Sequence, residues 1–554
     1  MTGYIFFPIS ILWKLRFFSK LTLVCLMLSA ASSAVAQVQF RGELTAYGEI
    51  YQIDGREARR PDHTWHLAFR PTLTFKHFSL PLEFFLSSED ERFRQPVNRF
   101  SLKPSWGWGG LQLGDFHTRH SEFTLNNIKM RGGALQINPG IFRLAVAGGR
   151  TQWEVEADTN RRQVTPAFRR NVYAASIGIG REGGSFLDLS LLKAEDDTTS
   201  IQQPGAARPQ ENLSAALSGQ IELLQSRLRL HGELAGAAYT RDTRADEFTS
   251  EEIPSAVDDL YTLRLSSRVS SAFLGEGEYR ERSFALKGLY RRVNPGFVSL
   301  GLPYLINDLE QWKISPQLRL LQRRWLLRLG YGRRRDNLKD EKQFTTRRQE
   351  LQLFSSYRFS RAFNLSAGYQ SYRLDNDAAS ARQRLKHHSW GLNLRPSLLL
   401  RTGVLDHQVS LMFLTRQIDS GGSLDRLQPE TGIYHFQGGW GVLFPGGWRL
   451  TPGVQYQDNR TTERESRWIT YSLGGSAQLL RRSLMPSLTV SLNQIRNPDE
   501  SEDTQLGVVL GVQFRASADD LFSLNLRNSD YQSGNSLRQD FQEFRAGLRY
   551  TRRF

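Results

Sequence analysis

The last stretch of the chain, 537–554, constrains it most. From Phe544 the even positions read Phe544, Ala546, Leu548, Tyr550, Arg552 and Phe554. The odd positions read Glu543, Arg545, Gly547, Arg549, Thr551 and Arg553. Alternate side chains of a strand point to opposite faces, so this strand has one mostly apolar face and one cationic face. In a soluble protein it would be merely amphipathic. The start of the chain changes that meaning. Lys14, Arg16 and Lys20 form a basic region, 21–28 is a short apolar run, and Ala34-Val35-Ala36 is a small-residue cleavage site before Gln37. The run is too short to cross a hydrocarbon core of about 30 Å as a helix. Residues 1–36 are therefore expected to be a signal peptide, and 37–554 one exported β domain. The only cysteine, Cys25, lies inside the signal, and Thr22-Leu23-Val24 before it make a poor lipobox. Removing 36 of 554 residues leaves 518 with no cysteine, so packing and hydrogen bonds alone must hold the exported chain.

The rest repeats the terminal theme. Leu506, Val508, Leu510, Val512 and Phe514 alternate with Gln505, Gly507, Gly511, Gln513 and Arg515, broken only by Val509. Leu488, Val490 and Leu492 alternate with Ser487, Thr489, Ser491 and Asn493. Tight turns fall near His77, Trp108-Gly109-Gly110, Asn138-Pro139-Gly140, Gln225-Ser226, Arg323-Arg324, Pro445-Gly446-Gly447 and Ala518-Asp519. Between them lie longer polar connections, such as 54–62, 88–98, 154–167, 196–211, 242–256 and 337–346. Long loops on one side and short turns on the other are the pattern of a transmembrane antiparallel up-and-down β-barrel. The spacing predicts about 26 strands (24–28), at about 20 residues per strand with its connection. Residues 261–271 alternate poorly; they are read as a strand, with Asp258-Asp259-Leu260 as an alternative helix start. An open edge in lipid would leave backbone groups unpaired at several kcal/mol each, so the sheet must close. Aromatics beside the turns, Trp106, Trp108, Phe142, Phe186, Trp325, Phe359, Phe363, Phe444, Trp448 and Phe522, fit an interfacial girdle.

The terminal strand, with Gly547, Tyr550 and a final Phe554, resembles the closing strand of bacterial outer-membrane β-barrels. The resemblance implies that this strand is the signal read by the barrel-assembly machinery, and that the partners are that machinery and outer-membrane lipid. It also implies the outer membrane of a Gram-negative bacterium. Arg552 departs from the usual apolar residue; near the membrane edge it costs about 0–1 kcal/mol. The stretch 106–150, with Leu113-Gly114-Asp115-Phe116 and Arg131-Gly132-Gly133, and the Asn294-Pro295-Gly296 loop resemble large outer-membrane proteins of Bacteroidota-type bacteria. That likeness implies location and fold, not activity.

Net charge is +16, and losing the three signal cations leaves +13. The charge is spread along the chain, which argues against a nucleic-acid partner. Its placement on the strands is informative. Lys313, Arg319, Arg324, Arg328 and Arg334 share the face opposite Trp312, Ile314, Leu318, Trp325, Leu327 and Leu329. Arg227, Arg229, His231 and Glu233 share another face, and Arg545, Arg549 and Arg527 join near the end. Inward Arg and Lys favour anions in a pore. The plainer alternative is that they pair with lumenal carboxylates such as Glu233 and Glu543 and keep the wall wet. One loop stands apart. Residues 294–310 read NPGFVSLGLPYLINDLE, with Phe297, Leu300, Leu302, Tyr304 and Leu305 as its apolar content. A long apolar loop should not sit in water, so it is expected to fold into the lumen as a constriction or to dock on a partner.

No enzyme is expected, and no cofactor or metal. His117 and His120, three apart on a strand, point to opposite faces; His387-His388 do the same, and Asp406-His407 has no serine at a recognisable spacing. A TonB-dependent receptor needs a plug domain before its barrel, whereas strands begin here within a few residues of Gln37. The leading expectation is a porin-like channel, passive or gated and anion-preferring. The alternatives are an export or assembly barrel gated by a separate plug or periplasmic partner, and a surface ligand-binding barrel with a closed lumen.

Overall fold

The computed structural model describes residues 38–89, 96–157, 165–181, 183–247, 260–422, 430–461 and 464–554. The segment 1–36, expected to be a signal peptide, lies outside them. The described chain forms one antiparallel sheet of 27 strand segments, β1 (Val38–Asp54) to β27 (Phe541–Arg553). Two of these, β4 (Arg99–Leu102) and β5 (Ser105–Trp106), are halves of one wall strand, since both pair with β3 (Phe78–Ser87) and β6 (Gly109–Arg119). Pro104 stands at the break and has no N–H for the ladder. The wall thus has 26 strands, as the spacing predicted.

The sheet closes on itself. β1 pairs with β27 from Glu43↔Arg553 to Asp54↔Gln542. Past the last rung, the Gly42 N–H donates to the Phe554 carbonyl at 2.8 Å, and the Phe554 ring stacks on Phe40 at 4.8 Å. A Cβ on Gly42 would meet that ring at 2.8 Å, so a glycine makes room for the terminal aromatic. Gly547 does the same for Tyr47, whose hydroxyl would lie 3.0 Å from an added Cβ. Arg552, the departure in the terminal strand, lies 3.8 Å from Asp520, which also accepts the Tyr550 hydroxyl at 2.7 Å.

The two faces of the wall are inverted relative to a soluble protein. On β10 (Phe186–Asp197), Leu187, Leu189 and Leu191 are 45–49% exposed, whereas Ser190 between them is fully buried. Apolar side chains outside and polar ones inside are the pattern of a wall that faces lipid. Trp108, Phe142, Phe359, Phe444, Trp448 and Phe522 are among the exposed aromatics beside the short turns. Phe186 is a correction to the girdle: it pairs across with Gln220 and packs under the Arg143 guanidinium at 4.7 Å, on the inner face.

Three boundaries also differ from expectation. The segment from Tyr261 is loop up to β13 (Ser267–Arg280); Tyr261 is buried, its hydroxyl 2.6 Å from the Thr240 hydroxyl. The alternative helix start at 258–259 lies outside the described residues. Arg227 and Arg324 fall in short turns rather than on strands. Those turns carry three successive left-handed non-glycine residues, Leu224-Gln225-Ser226 and Leu321-Gln322-Arg323, and Leu480-Arg481-Arg482 repeats the form.

Candidate functional site in the lumen

Two loops enter the barrel from the long-loop side, both within the sector from β6 to β15 (Leu309–Leu320). The first, 120–125, links β6 to β7 (Asn126–Ile137). The second, 294–308, links β14 (Phe284–Val293) to β15. The second coils through successive turns: Phe297 N–H to Asn294 O, Leu302 N–H to Ser299 O and Leu305 N–H to Leu302 O, at 2.9–3.2 Å. Gly296, with φ +78, permits the first of these.

Both loops are held by side chains of the inner wall. Glu233, 3% exposed on β12 (Leu228–Thr240), accepts the backbone N–H groups of Glu122 and Phe123 at 2.9 Å each. Asn212, fully buried, donates to the Val298 carbonyl at 3.0 Å and accepts the Leu300 N–H at 3.1 Å. The loops also hold each other. The Ser299 hydroxyl donates to the Thr124 carbonyl at 2.7 Å, and the Phe123 and Phe297 rings meet edge to face at 5.9 Å. A Cβ on Gly301 would lie 2.4 Å from the Thr124 carbonyl oxygen, so only glycine fits that crossing.

Apolar packing completes the contact. Leu300 joins Phe116, Leu125, Met130, Val172 and Leu192, and Phe297 joins Phe123, Leu274, Val293 and Leu309. Small wall residues, Ala134, Ala147, Ala174, Ala216, Ala235 and Ala272, line the same contact and give the loops room. Of the apolar loop residues, Phe297 and Leu300 are buried and Leu305 packs against them, whereas Tyr304 is 94% exposed.

At its base, Asp308 ties this sector to the next. Its carboxylate accepts the N–H groups of Asn337 and Leu338 at 3.0 and 2.8 Å and pairs with Lys342. Burial opposes its charge, but the Lys342 ammonium and the two N–H donors outweigh burial and hold the acid below its ordinary value. In the other loop, burial pushes the His120 imidazole down to about 4, and its Nδ1 lies 3.2 Å from the Ser176 hydroxyl.

Below the first loop lies a polar cavity of about 830 Å³ between the walls of β6 to β15. Its charges are largely paired: Arg143 with Asp188 at 3.1 Å, Arg229 with Glu222 at 2.8 Å, Lys287 with Glu278 at 3.5 Å.

From β16 (Trp325–Arg335) around to β27 and on to β3 the inner face is different. Register places Arg328, Gln352, Gln370, Arg527 and Arg549 on the inside, and all five are solvent-exposed. The predicted wall cations therefore divide. Arg545 pairs with Glu543, Arg229 with Glu222, and turn residue Arg227 lies 3.7 Å from Glu281. Lys313, Arg319, Arg328, Arg334, Arg527 and Arg549 have no ion pair among the described residues; Arg549 lies over the Tyr47 ring at 5.4 Å. Glu233 serves a loop backbone instead of an arginine. Sequence reasoning missed the 120–125 loop, Glu233 as its anchor, and Asn212. The one signal that could have found the loop was the need for a long-side connection between the turns at 108–110 and 138–140.

His387 and His388 point to opposite faces, toward the Ser420 and Ser371 hydroxyls. Among the described residues, no group of three or more His, Cys, Asp or Glu side chains could hold a metal ion.

No family model matches the chain, and no curated protein matches it. Solved structures do. Pseudomonas aeruginosa OpdK with vanillate aligns at 12% identity and a TM-score of 0.31, over 63% of this chain and 94% of that one. Pseudomonas aeruginosa OccK9 (OpdG) aligns at 16% identity and 0.31, over 70% and 98%. The P pilus usher (PapC) translocation pore aligns at 10% and 0.30, over 93% and 99%. All are distant likenesses, far below the identity at which side-chain roles transfer.

Proposed function

We propose that this chain is a porin-like diffusion channel of a Gram-negative outer membrane, narrowed on one side by its own loops and biased toward anions. The observation that carries the reading is the exposure of inward-facing side chains on β16 to β27, Arg328, Gln352, Gln370, Arg527 and Arg549 among them. A lumen closed by packing would bury them. A barrel of 26 strands is too wide to be filled by side chains alone, and the two infolded loops pack against one sector. The outward apolar belt and the aromatic closing strand support the membrane, and the unpaired inward cations support anion bias.

A second reading is a barrel gated by a separate protein. It is favoured by Tyr304, 94% exposed, and Ile306, 54% exposed, at the apolar tip of the longer loop. Single-channel conductance of the refolded barrel in a planar bilayer, with a salt gradient across it, separates the two. A steady conductance with an anion-biased reversal potential supports the channel. A silent barrel that conducts once 295–307 are removed identifies that loop as a plug, and a barrel silent even then supports the gated reading.

A further inference from the structure

The inner wall where β15, β16 and β17 (Thr346–Arg358) meet gathers more positive charge than the fold itself uses. Arg334 and Arg348 are directly opposed across β16 and β17. Like charges directly opposed repel. Lys313 adds a third cation. Its aliphatic stem runs across Gly332, where an added Cβ would lie 3.1 Å from Lys313 Cγ. The three line one recess of about 170 Å³ with Gln311, Gly332 and Glu350; Arg333 also borders it, but register sets it opposite Trp312, on the outer face of the wall.

Glu350 is the only carboxylate lining that recess, and it pairs with Arg348. On the inner face, the three cations Lys313, Arg334 and Arg348 against the one acid Glu350 leave a surplus of two positive charges. Arg334 and Lys313 have no ion pair among the described residues. Arg348 is held over the Tyr372 ring at 4.8 Å, and its Nε is buried without a hydrogen-bond partner. A guanidinium N–H without an acceptor is costly, so the fold leaves one donor of this arginine unused. Guanidinium forks match phosphoryl and carboxylate oxygens two at a time.

We propose that this recess is an oxyanion site on the lumen wall, taking solutes that carry two negative charges on phosphoryl or carboxylate oxygens. The inference rests on the channel reading for access to the lumen, but not for binding.

The test uses the full refolded barrel in a planar bilayer in potassium chloride at pH 8, with inorganic phosphate or succinate added as probe. The expected result is a saturable block of the chloride current by a dianion, its half-blocking concentration raised tenfold or more by Arg334→Gln and by Arg348→Gln, each read against that variant's own unblocked current. Gly332→Ala should also weaken the block, because it displaces Lys313 without changing any charge. Block by phosphate alone assigns phosphoryl groups, and block by succinate alone assigns dicarboxylates. No block by either, or block indifferent to all three variants, overturns the proposal. Should the wild-type barrel carry no current, the channel reading fails separately. Calorimetric titration of phosphate and succinate into the detergent-solubilised barrel then decides the site: binding lost in the arginine variants sustains it, and no binding removes it.

Discussion

Two sectors of one wall, β6 to β15 and β16 to β27, share antiparallel pairing and an apolar outer belt, yet their inner faces do different things. In the first, the inner face carries alanines and serines at the level of the loops, together with two buried polar anchors, Glu233 and Asn212. Small residues there leave space, and the anchors supply acceptors and donors to loop backbone that has lost water. In the second, the inner face carries arginine and glutamine exposed to the lumen. The difference teaches that a barrel wall narrows its lumen by two changes made together: volume is removed from the wall, and polar groups are placed to satisfy the loop that takes the volume up.

The sharpest way to break this comparison is to empty the first sector. Replacing 295–307 with a two-residue Asn-Gly link should raise single-channel conductance several-fold, the largest effect expected. An unchanged conductance would mean that the loop does not narrow the path. Next in size is Glu233→Ala. It leaves the Glu122 and Phe123 N–H groups buried without an acceptor, at about 1–3 kcal/mol each. Recordings should then show bursts of a larger conductance level, while Glu543→Gln, which touches only Arg545 in the other sector, should not.

A smaller effect is expected from acid. The Asp308 carboxylate is held below its ordinary value, so it contributes stability in full above about pH 3.9, the unfolded value. That contribution is lost as pH falls through the lower folded value. Current noise from the first sector should therefore rise below about pH 4, stay flat between pH 5 and 8, and be present at every pH in Asp308→Asn. The smallest change belongs to the bare wall. Arg328→Gln removes one of several unpaired cations and should lower the anion bias of the reversal potential slightly, with conductance unchanged. An equal shift from Arg229→Gln, whose charge is already matched by Glu222, would blur the line between the sectors.

Much of this architecture was legible in the sequence. Alternation in segments such as 505–515 sets both strand and facing, and the apolar 294–310 segment stood out because no lipid-facing alternation explained it. The tight turns at Gln225-Ser226 and Arg323-Arg324 were legible too, but Leu224-Gln225-Ser226 and Leu321-Gln322-Arg323 turn through left-handed conformations without glycine, asparagine or proline to mark their ends, so the strands that follow were started too early, at Arg227 and Arg324 rather than Leu228 and Trp325. The 120–125 loop was hidden because Ser121-Glu122-Phe123-Thr124-Leu125 alternates like a strand. Its true partner, Glu233, lies 110 residues away from Phe123, and local pattern has no access to such a contact. The same holds for Asn212, which looks like any inward polar residue until the loop arrives 86 residues later.

The central claim is that the inner face is wet in one sector and covered in the other. With Cys25 inside the expected signal, the exported chain offers a background free of thiols, so single cysteines report on it directly. We would install Gln352→Cys on the bare wall and Ala216→Cys beneath the loops, and follow modification by a charged, membrane-impermeant thiol reagent in the bilayer-embedded barrel. Rapid labelling at 352, with a step down in conductance, and protection at 216 is the predicted result. Equal labelling at both positions, or protection at both, would contradict the account.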